Sequence, residues 1–325
     1  MRPMFLAAGL VAGLSSAAAA AEAPTVVASI KPVHSLVAAV MEGVGTPHLI
    51  VAGGASPHAT SLKPSDAVAL EGAAVVVWVG EDLEAFLAPA LASLAGKARV
   101  VELAEAPGLT RLPYREGGPW GAHDHEHEEH AHEDHEHEAH AHEAHEDEHH
   151  HEGIDMHLWL DPQNARAMVA AIAEALIAAD PANAGAYEAN RQSLDQQLAG
   201  LDAEIARDLA PVKDVPFVVF HDAFQYFDNR FDLATVGSVT VSPEQQPGAQ
   251  RLREIQEKIA ELGARCVFAE PQFEPRLVDV VVEGTNARTG TLDPLGADLA
   301  DGPELYFELL RRNAASLKAC LGEAS

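Results

Sequence analysis

The sequence predicts an α/β protein of two parallel-sheet (β/α) lobes joined by a long backbone helix, with a cleft between the lobes. Three observations predict it. Short β-branched runs alternate with helical patterns, the alternation occurs twice, and one unbroken helical pattern separates the two sets. Strands that alternate with helices form parallel sheets covered on both faces. The expected boundaries are 24–180 for the first lobe, 181–210 for the connecting helix and 211–325 for the second lobe, after an export signal over 1–23.

In the first set, strands are expected over 25–30, 48–52, 73–80 and 99–103, with helices over 32–42, 64–71 and 83–94 between them. Within 163–179, Met168, Ile172 and Leu176 share one helical face. Asp180-Pro181 then reads as an N-cap followed by Pro at the first helical position. Tyr187, Leu194, Leu198, Leu201, Ile205 and Leu209 recur at helical spacing as far as Pro211, a helix about 43 Å long at roughly 1.5 Å per residue. Such a helix can be a stiff spine between lobes or a coiled-coil partner for another protein. Beyond Pro211, strands are expected over 215–220, 234–239, 265–269 and 288–292, and helices over 248–262, 275–284 and 303–321. Open α/β sheets bind ligands at strand ends, so two such lobes enclose a cleft with a ligand site.

Composition narrows the function. The chain has 325 residues, 50 acidic and 21 basic, for a formal net charge of −29. A polyanion without a basic face repels phosphate, which excludes nucleic acid as a partner. With 47% of residues hydrophobic, the chain is long enough for two cores. Two cysteines are too few for a disulfide miniature or a four-Cys zinc module. Much of the charge sits in residues 123–152, which hold 13 His, 13 Asp or Glu, four Ala and no Lys or Arg. A stretch without large apolar side chains cannot offset its ordering entropy, so a disordered surface loop is expected. Acid alone does not require His at nearly every second position. His123, His125, His127, His130, His132, His135, His137, His140, His142, His145, His149, His150 and His151 are therefore expected to form many interchangeable weak metal sites.

The chain opens with Met1-Arg2-Pro3-Met4, an apolar run over 5–14, then Ser15, Ser16 and an Ala-rich stretch with Ala-x-Ala options. This is the pattern of a secretory signal peptide, with cleavage expected near 21–24. The apolar run is shorter than the roughly 20 residues of a membrane span, and no later segment qualifies. No Cys lies near the junction, which disfavours a lipid anchor and points to a soluble exported protein, periplasmic in a bacterium. An oxidising compartment favours pairing Cys266 with Cys320, which would tie the last helix to a sheet; the alternative is two buried free thiols.

Outside the loop five His remain: His34, His48, His58, His157 and His221. His58 lies in the turn-rich Gly53-Gly54-Ala55-Ser56-Pro57-His58, His157 in Asp155-Met156-His157-Leu158-Trp159, and His221 at the end of Phe217-Val218-Val219-Phe220. No local metal motif links them, so any convergence must come from the fold. Three neutral imidazoles make a tight Zn2+ site, completed by a carboxylate or water. Asp293, in Leu292-Asp293-Pro294-Leu295-Gly296 after the final strand, is the candidate fourth group. His34, at a helix start, and His48, entering a strand, are expected to be structural.

These residues also carry a resemblance. The chain resembles the solute-binding proteins of zinc and manganese ABC transporters, most closely their high-affinity zinc-uptake type. The matching pieces are Ser29-Ile30-Lys31-Pro32, Pro57-His58 with Leu62-Lys63-Pro64-Ser65-Asp66, the His/Asp/Glu insertion, Met156-His157-Leu158-Trp159-Leu160-Asp161-Pro162, Phe220-His221-Asp222-Ala223-Phe224 and Leu292-Asp293-Pro294-Leu295-Gly296. They span almost the whole chain after the signal. The resemblance implies a monomeric binding protein that captures Zn2+ between two lobes on a rigid helix and delivers it to a membrane permease of an ABC transporter. His58, His157 and His221 match the family's three His ligands, and Asp293 matches the carboxylate used by manganese-type members. Those members usually have Glu where His221 stands, which argues for zinc. Some zinc members carry a carboxylate just before the first ligand His; here that position is Pro57, leaving the fourth ligand between Asp293, water and a loop residue. The alternatives are a manganese-binding homologue, a periplasmic zinc buffer or chaperone that uses the loop alone, and a zinc hydrolase. The last lacks a Glu beside a ligand to act as general base, so an enzyme is not expected.

Overall fold

The computed structural model describes residues 23–115, 120, 153–240, 248–273 and 276–322. The expected export signal, apart from Ala23, and all 13 His of the run over 123–152 lie outside the described residues.

The first sheet consists of β1 (Val26–Ile30), β2 (His48–Val51), β3 (Val75–Trp78) and β4 (Arg99–Glu102) in the order β2-β1-β3-β4, all parallel. β1 is central and buried along its whole length, as an apolar strand covered on both faces must be. Helices α1 (Lys31–Val40), α2 (Pro64–Glu71), α3 (Ala88–Leu94) and α4 (Pro162–Ala179) complete this half. The second sheet repeats the permutation with β5 (Phe217–Val219), β6 (Thr235–Ser238), β7 (Cys266–Ala269) and β8 (Arg288–Thr291) in the order β6-β5-β7-β8. It carries α6 (Gln225–Phe231), α7 (Ala249–Leu262), α8 (Arg276–Val282) and α9 (Leu305–Gly322).

Between them runs α5 (Ala184–Leu209), 26 residues and about 39 Å long. It buries Tyr187, Leu194, Leu198, Leu201, Ile205 and Leu209, the stripe expected from the sequence. That stripe packs on α1 and α4 from the first half and on α6 and α9 from the second, so the chain itself covers the face a coiled-coil partner would need. The helix starts one turn later than expected. Pro181–Asn183 form a 3-10 turn, where the Asp180 carboxylate accepts hydrogen bonds from the Asn183 amide at 2.7 Å and the Tyr187 hydroxyl at 2.9 Å. No single helix among the described residues is long and apolar enough to cross a membrane.

The two sheets share one apolar core. Phe217 and Val219 of β5, with Cys266 and Phe268 of β7, join the cluster that contains β1, β3 and α5, while the alternate residues Val218 and Val267 enter a smaller cluster with Ile255, Ile259 and Val281. Period-2 alternation thus sends one face of the second sheet inward and the other under α7 and α8. A seam of polar contacts reinforces the junction. Lys31 Nζ donates to the Leu299 carbonyl at 2.7 Å, Ser35 Oγ to the Pro303 carbonyl at 3.0 Å, and Trp159 Nε1 to the Pro294 carbonyl at 2.8 Å.

Two local differences have physical causes. Helix was expected from residue 83, but α3 begins at Ala88, because Glu84 folds its carboxylate onto the backbone N–H groups of Val79 and Gly80 at 2.8 and 3.1 Å and holds a run of turns. Helix α6, not expected, is seven residues long, too short for a periodic pattern.

Cys266 and Cys320 form a disulfide that joins β7 to α9 across 54 residues, and no free cysteine remains. By loop entropy, a double Cys266→Ser/Cys320→Ser variant should lose about 4 kcal/mol of stability, read from urea unfolding of the metal-free protein. An unchanged urea midpoint would show that the bond contributes nothing.

Candidate metal centre

Strand order dictates where the side chains meet. In the second sheet the order reverses between β5 and β7, the position where open α/β sheets leave a crevice. His221 follows β5 and Glu270 follows β7, so the two face each other across that crevice. Glu270 Oε1 lies 2.6 Å from His221 Nδ1 and also accepts the His221 backbone N–H at 3.2 Å. His157 sits just before the 3-10 turn Leu158–Leu160, with its Nδ1 2.7 Å from Asp155 Oδ1 and its backbone N–H 3.0 Å from the same oxygen. His58 comes from the loop after β2, where its backbone N–H donates to Ser56 Oγ at 3.3 Å.

The carboxylates dictate the tautomers. Each imidazole donates Nδ1–H to its carboxylate, which leaves the Nε2 lone pair of His157 and His221 pointing inward. Those two Nε2 atoms are 3.4 Å apart, and one nitrogen from each of His58, His157 and His221 lies within 4.8 Å of the others. Two nitrogens bound tetrahedrally at Zn–N distances of about 2.05 Å stand roughly 3.3 Å apart, so the pair is already at ligand spacing. His157 and His221 are 7% and 4% exposed; His58 is the least covered of the three. Trp159, Phe273, Pro294 and Leu295 wall the space, whose volume of about 10 Å³ suits a single ion and no organic ligand. A larger hollow of about 630 Å³, at the opposite end of the second sheet beside Arg265 and Arg288, has no His, Cys or carboxylate in its lining.

Electrostatics divides the three rings. Burial, followed by the neighbouring imidazoles of His157 and His221, holds the His58 ring well below the usual imidazole value, so it is neutral at pH 7. Burial also pulls on His221, but the Glu270 carboxylate, aided by Asp222 and Asp155, outweighs it and leaves the ring raised.

Of the residues anticipated from the sequence, the fold brings His58, His157 and His221 together and leaves Asp293 apart from that cluster. Asp293 Oδ1 accepts the backbone N–H groups of Leu295 and Gly296 at 2.9 Å and the Gln272 amide at 2.8 Å, while Oδ2 accepts Ala297 N–H at 2.6 Å. It organises the turn that presses Pro294 and Leu295 against the metal cavity. His34 Nε2 lies 3.1 Å from the Pro47 carbonyl and His48 Nε2 3.0 Å from Asp66, both remote from the cluster. Two residues were missed, Asp155 and Glu270. Asp155 had a readable signal, a carboxylate two positions before a candidate ligand; Glu270 had only its place at a strand end, 49 residues from its partner.

Comparison with known proteins agrees with this geometry. The family described as "ZnuA: Zinc-uptake complex component A periplasmic" matches residues 26–320. The High-affinity zinc uptake system protein ZnuA of Brucella suis is 54% identical, over 99% of this chain and 99% of its own. Its namesake from Paracoccus denitrificans is 42% identical, again over 99% of both chains. A solved zinc-bound ZnuA deletion mutant superposes with a TM-score of 0.73 at 23% identity, covering 93% of this chain and 100% of that one, a likeness of fold. A whole-length match of this kind, on a chain with two four-stranded parallel sheets and three converging imidazoles, makes the protein a member of the ZnuA family of zinc-uptake components.

Proposed function

We propose that the protein captures Zn2+ in the periplasm and presents it to the permease of an ABC transporter for high-affinity import. The observation that carries this reading is the set of three imidazole nitrogens within 4.8 Å, around a cavity with room for one ion. Relatives named as zinc uptake proteins over the full chain length support it. His58, His157 and His221 are the proposed ligands, with Asp155 and Glu270 as their braces. Nitrogen donors favour Zn2+ over Mn2+, which prefers oxygen. With both Asp293 oxygens engaged in its own turn, water is the proposed fourth ligand. Catalysis is not part of this reading, which rests on relatives named as zinc uptake proteins. The reading also includes an export signal over 1–23, lobes over 24–180 and 211–325 on a helix over 181–210, a monomeric state, and the His-rich run as a weaker, fast-exchanging zinc store.

Competitive zinc titration tests it. A His58→Ala/His157→Ala/His221→Ala variant should lose the single tightest site, keep the weak sites of the His-rich run and bind little manganese. Unchanged tight binding would move the function into that run. Glu270→Gln and Asp155→Asn should each weaken zinc by about 10- to 100-fold, the usual effect of removing a partner of a ligand His; equal affinities in all three proteins would leave the braces without a role.

The pH dependence follows from His221. Its folded value is raised, so the proton that zinc must displace is held above the usual imidazole range of about 6.5. Zinc affinity should therefore begin to fall above that pH and continue down as the ring protonates. Glu270→Gln removes the main cause of the rise and should move the fall to lower pH, as measured by dissociation constants across a pH series. A shift the other way would contradict the assignment.

A further inference from the structure

The two braced imidazoles, His157 and His221, come from opposite halves of the chain, 64 residues apart, and no backbone pairing among the described residues joins them directly. A short strap lies between their segments. On one side, residues 112–114 run antiparallel to 153–155: Pro113 bridges Ile154, Tyr114 N–H donates to the Gly153 carbonyl at 2.9 Å, and Asp155 N–H donates to the Leu112 carbonyl at 2.9 Å. Asp155 is the brace of His157. On the other side, the Tyr226 hydroxyl accepts Leu112 N–H at 3.0 Å and the Gln225 amide donates to the Pro113 carbonyl at 3.0 Å. The strap is also fixed behind: Arg111 Nε donates to the Ala104 carbonyl at 2.9 Å, and Thr110 exchanges two hydrogen bonds with the Asn164 side chain.

Its end is Arg115. Arg115 Nε lies 3.0 Å from each oxygen of Asp222, the residue after His221; Nη2 also contacts Asp222, and Nη1 reaches Asp228 Oδ2 at 3.1 Å. The Arg115 side chain is only 18% exposed, and those of Asp222 and Asp228 are 7% and 5%. Trp120 stacks on the guanidinium at 3.8 Å. One cation thus offsets two buried carboxylates that would otherwise repel each other beside a ligand. A planar fork meets both carboxylates with donors in fixed directions, whereas an ammonium is a compact point charge without that geometry.

We infer that Arg115 is a positioning residue that sets the distance between His157 and His221, and through it the coordination geometry and the rate of metal release. The inference rests on the reading of the three His as the zinc site. With the fork in place, the His221 segment is drawn towards the strap that already holds Asp155. Without it, the Asp222 and Asp228 carboxylates push apart and His221 retreats from ligand spacing.

The experiment uses the mature protein with Arg115→Lys and Arg115→Gln, beside an Arg311→Gln control that removes a half-exposed pair with Glu204 and a contact with the Phe307 ring, away from the strap. Co2+ serves as the probe of geometry, because four-coordinate Co2+ absorbs visible light far more strongly than six-coordinate Co2+. Zinc release is timed by chelator competition, and thermal unfolding of the metal-free protein reports structural damage separately. Arg115→Lys keeps the charge and should fold with a midpoint close to the control. It should release zinc about tenfold faster and weaken the Co2+ band, with a larger effect in Arg115→Gln. If Arg115→Gln does not fold, Arg115→Lys decides alone. A folded Arg115→Lys with the release rate and Co2+ band of the control overturns the inference. If the unaltered protein shows no four-coordinate Co2+ band that the triple His variant abolishes, the zinc-site reading itself falls.

Discussion

Three imidazoles can be held with their lone pairs facing one another only if each stays neutral and none can swing away. Everything around this site answers that demand. Glu270 and Asp155 grip the outer nitrogens of His221 and His157, so the inner nitrogens have one orientation and the protein meets the cost of ordering them before any ion arrives. His58 is treated differently. No hydrogen bond restrains its ring among the described residues, and burial beside two other imidazoles suppresses its protonation. Two braced imidazoles and one unbraced one make a jaw around the space where the three rings converge.

A jaw of this kind needs a stiff frame, and the frame is a shared core. Phe217 and Phe268 of the second sheet pack into the same apolar cluster as β1, and α5 is buried against helices of both halves. Lys31 and Trp159 add hydrogen bonds from the first half to the carbonyls of Leu299 and Pro294, around the turn that Asp293 organises, and Ser35 adds one to the Pro303 carbonyl. Opening the molecule like a hinge would expose apolar surface at roughly 25 cal/mol per Å² and break these bonds.

Much of this was legible in the sequence. The repeated strand–helix alternation, the stripe from Tyr187 to Leu209 and the three His at element ends all reflect local periodicity, which survives folding. What was hidden depends on tertiary neighbours. Glu270 becomes a brace only because β7 lies beside β5, an adjacency absent from linear order. Asp293 shares the strand-end placement of His221, but a sequence does not distinguish a carboxylate aimed at a cleft from one aimed at the N–H groups just ahead of it, and here the next turn claims it. Helix α6, at seven residues, is only about two turns long and too short for its periodicity to show, although its Tyr226 and Asp228 both anchor the strap.

The cavity of about 10 Å³ has a consequence for how the ion arrives. A fully hydrated ion is larger than this space, so an ion seated among the three imidazoles gives up most of its aqueous shell, and His58 is the least covered ring. Capture speed is then governed by how readily the metal gives up water. Zn2+ exchanges its water quickly and Ni2+ slowly, so dehydration alone sets the two ions apart in haste, whatever the strength of attachment.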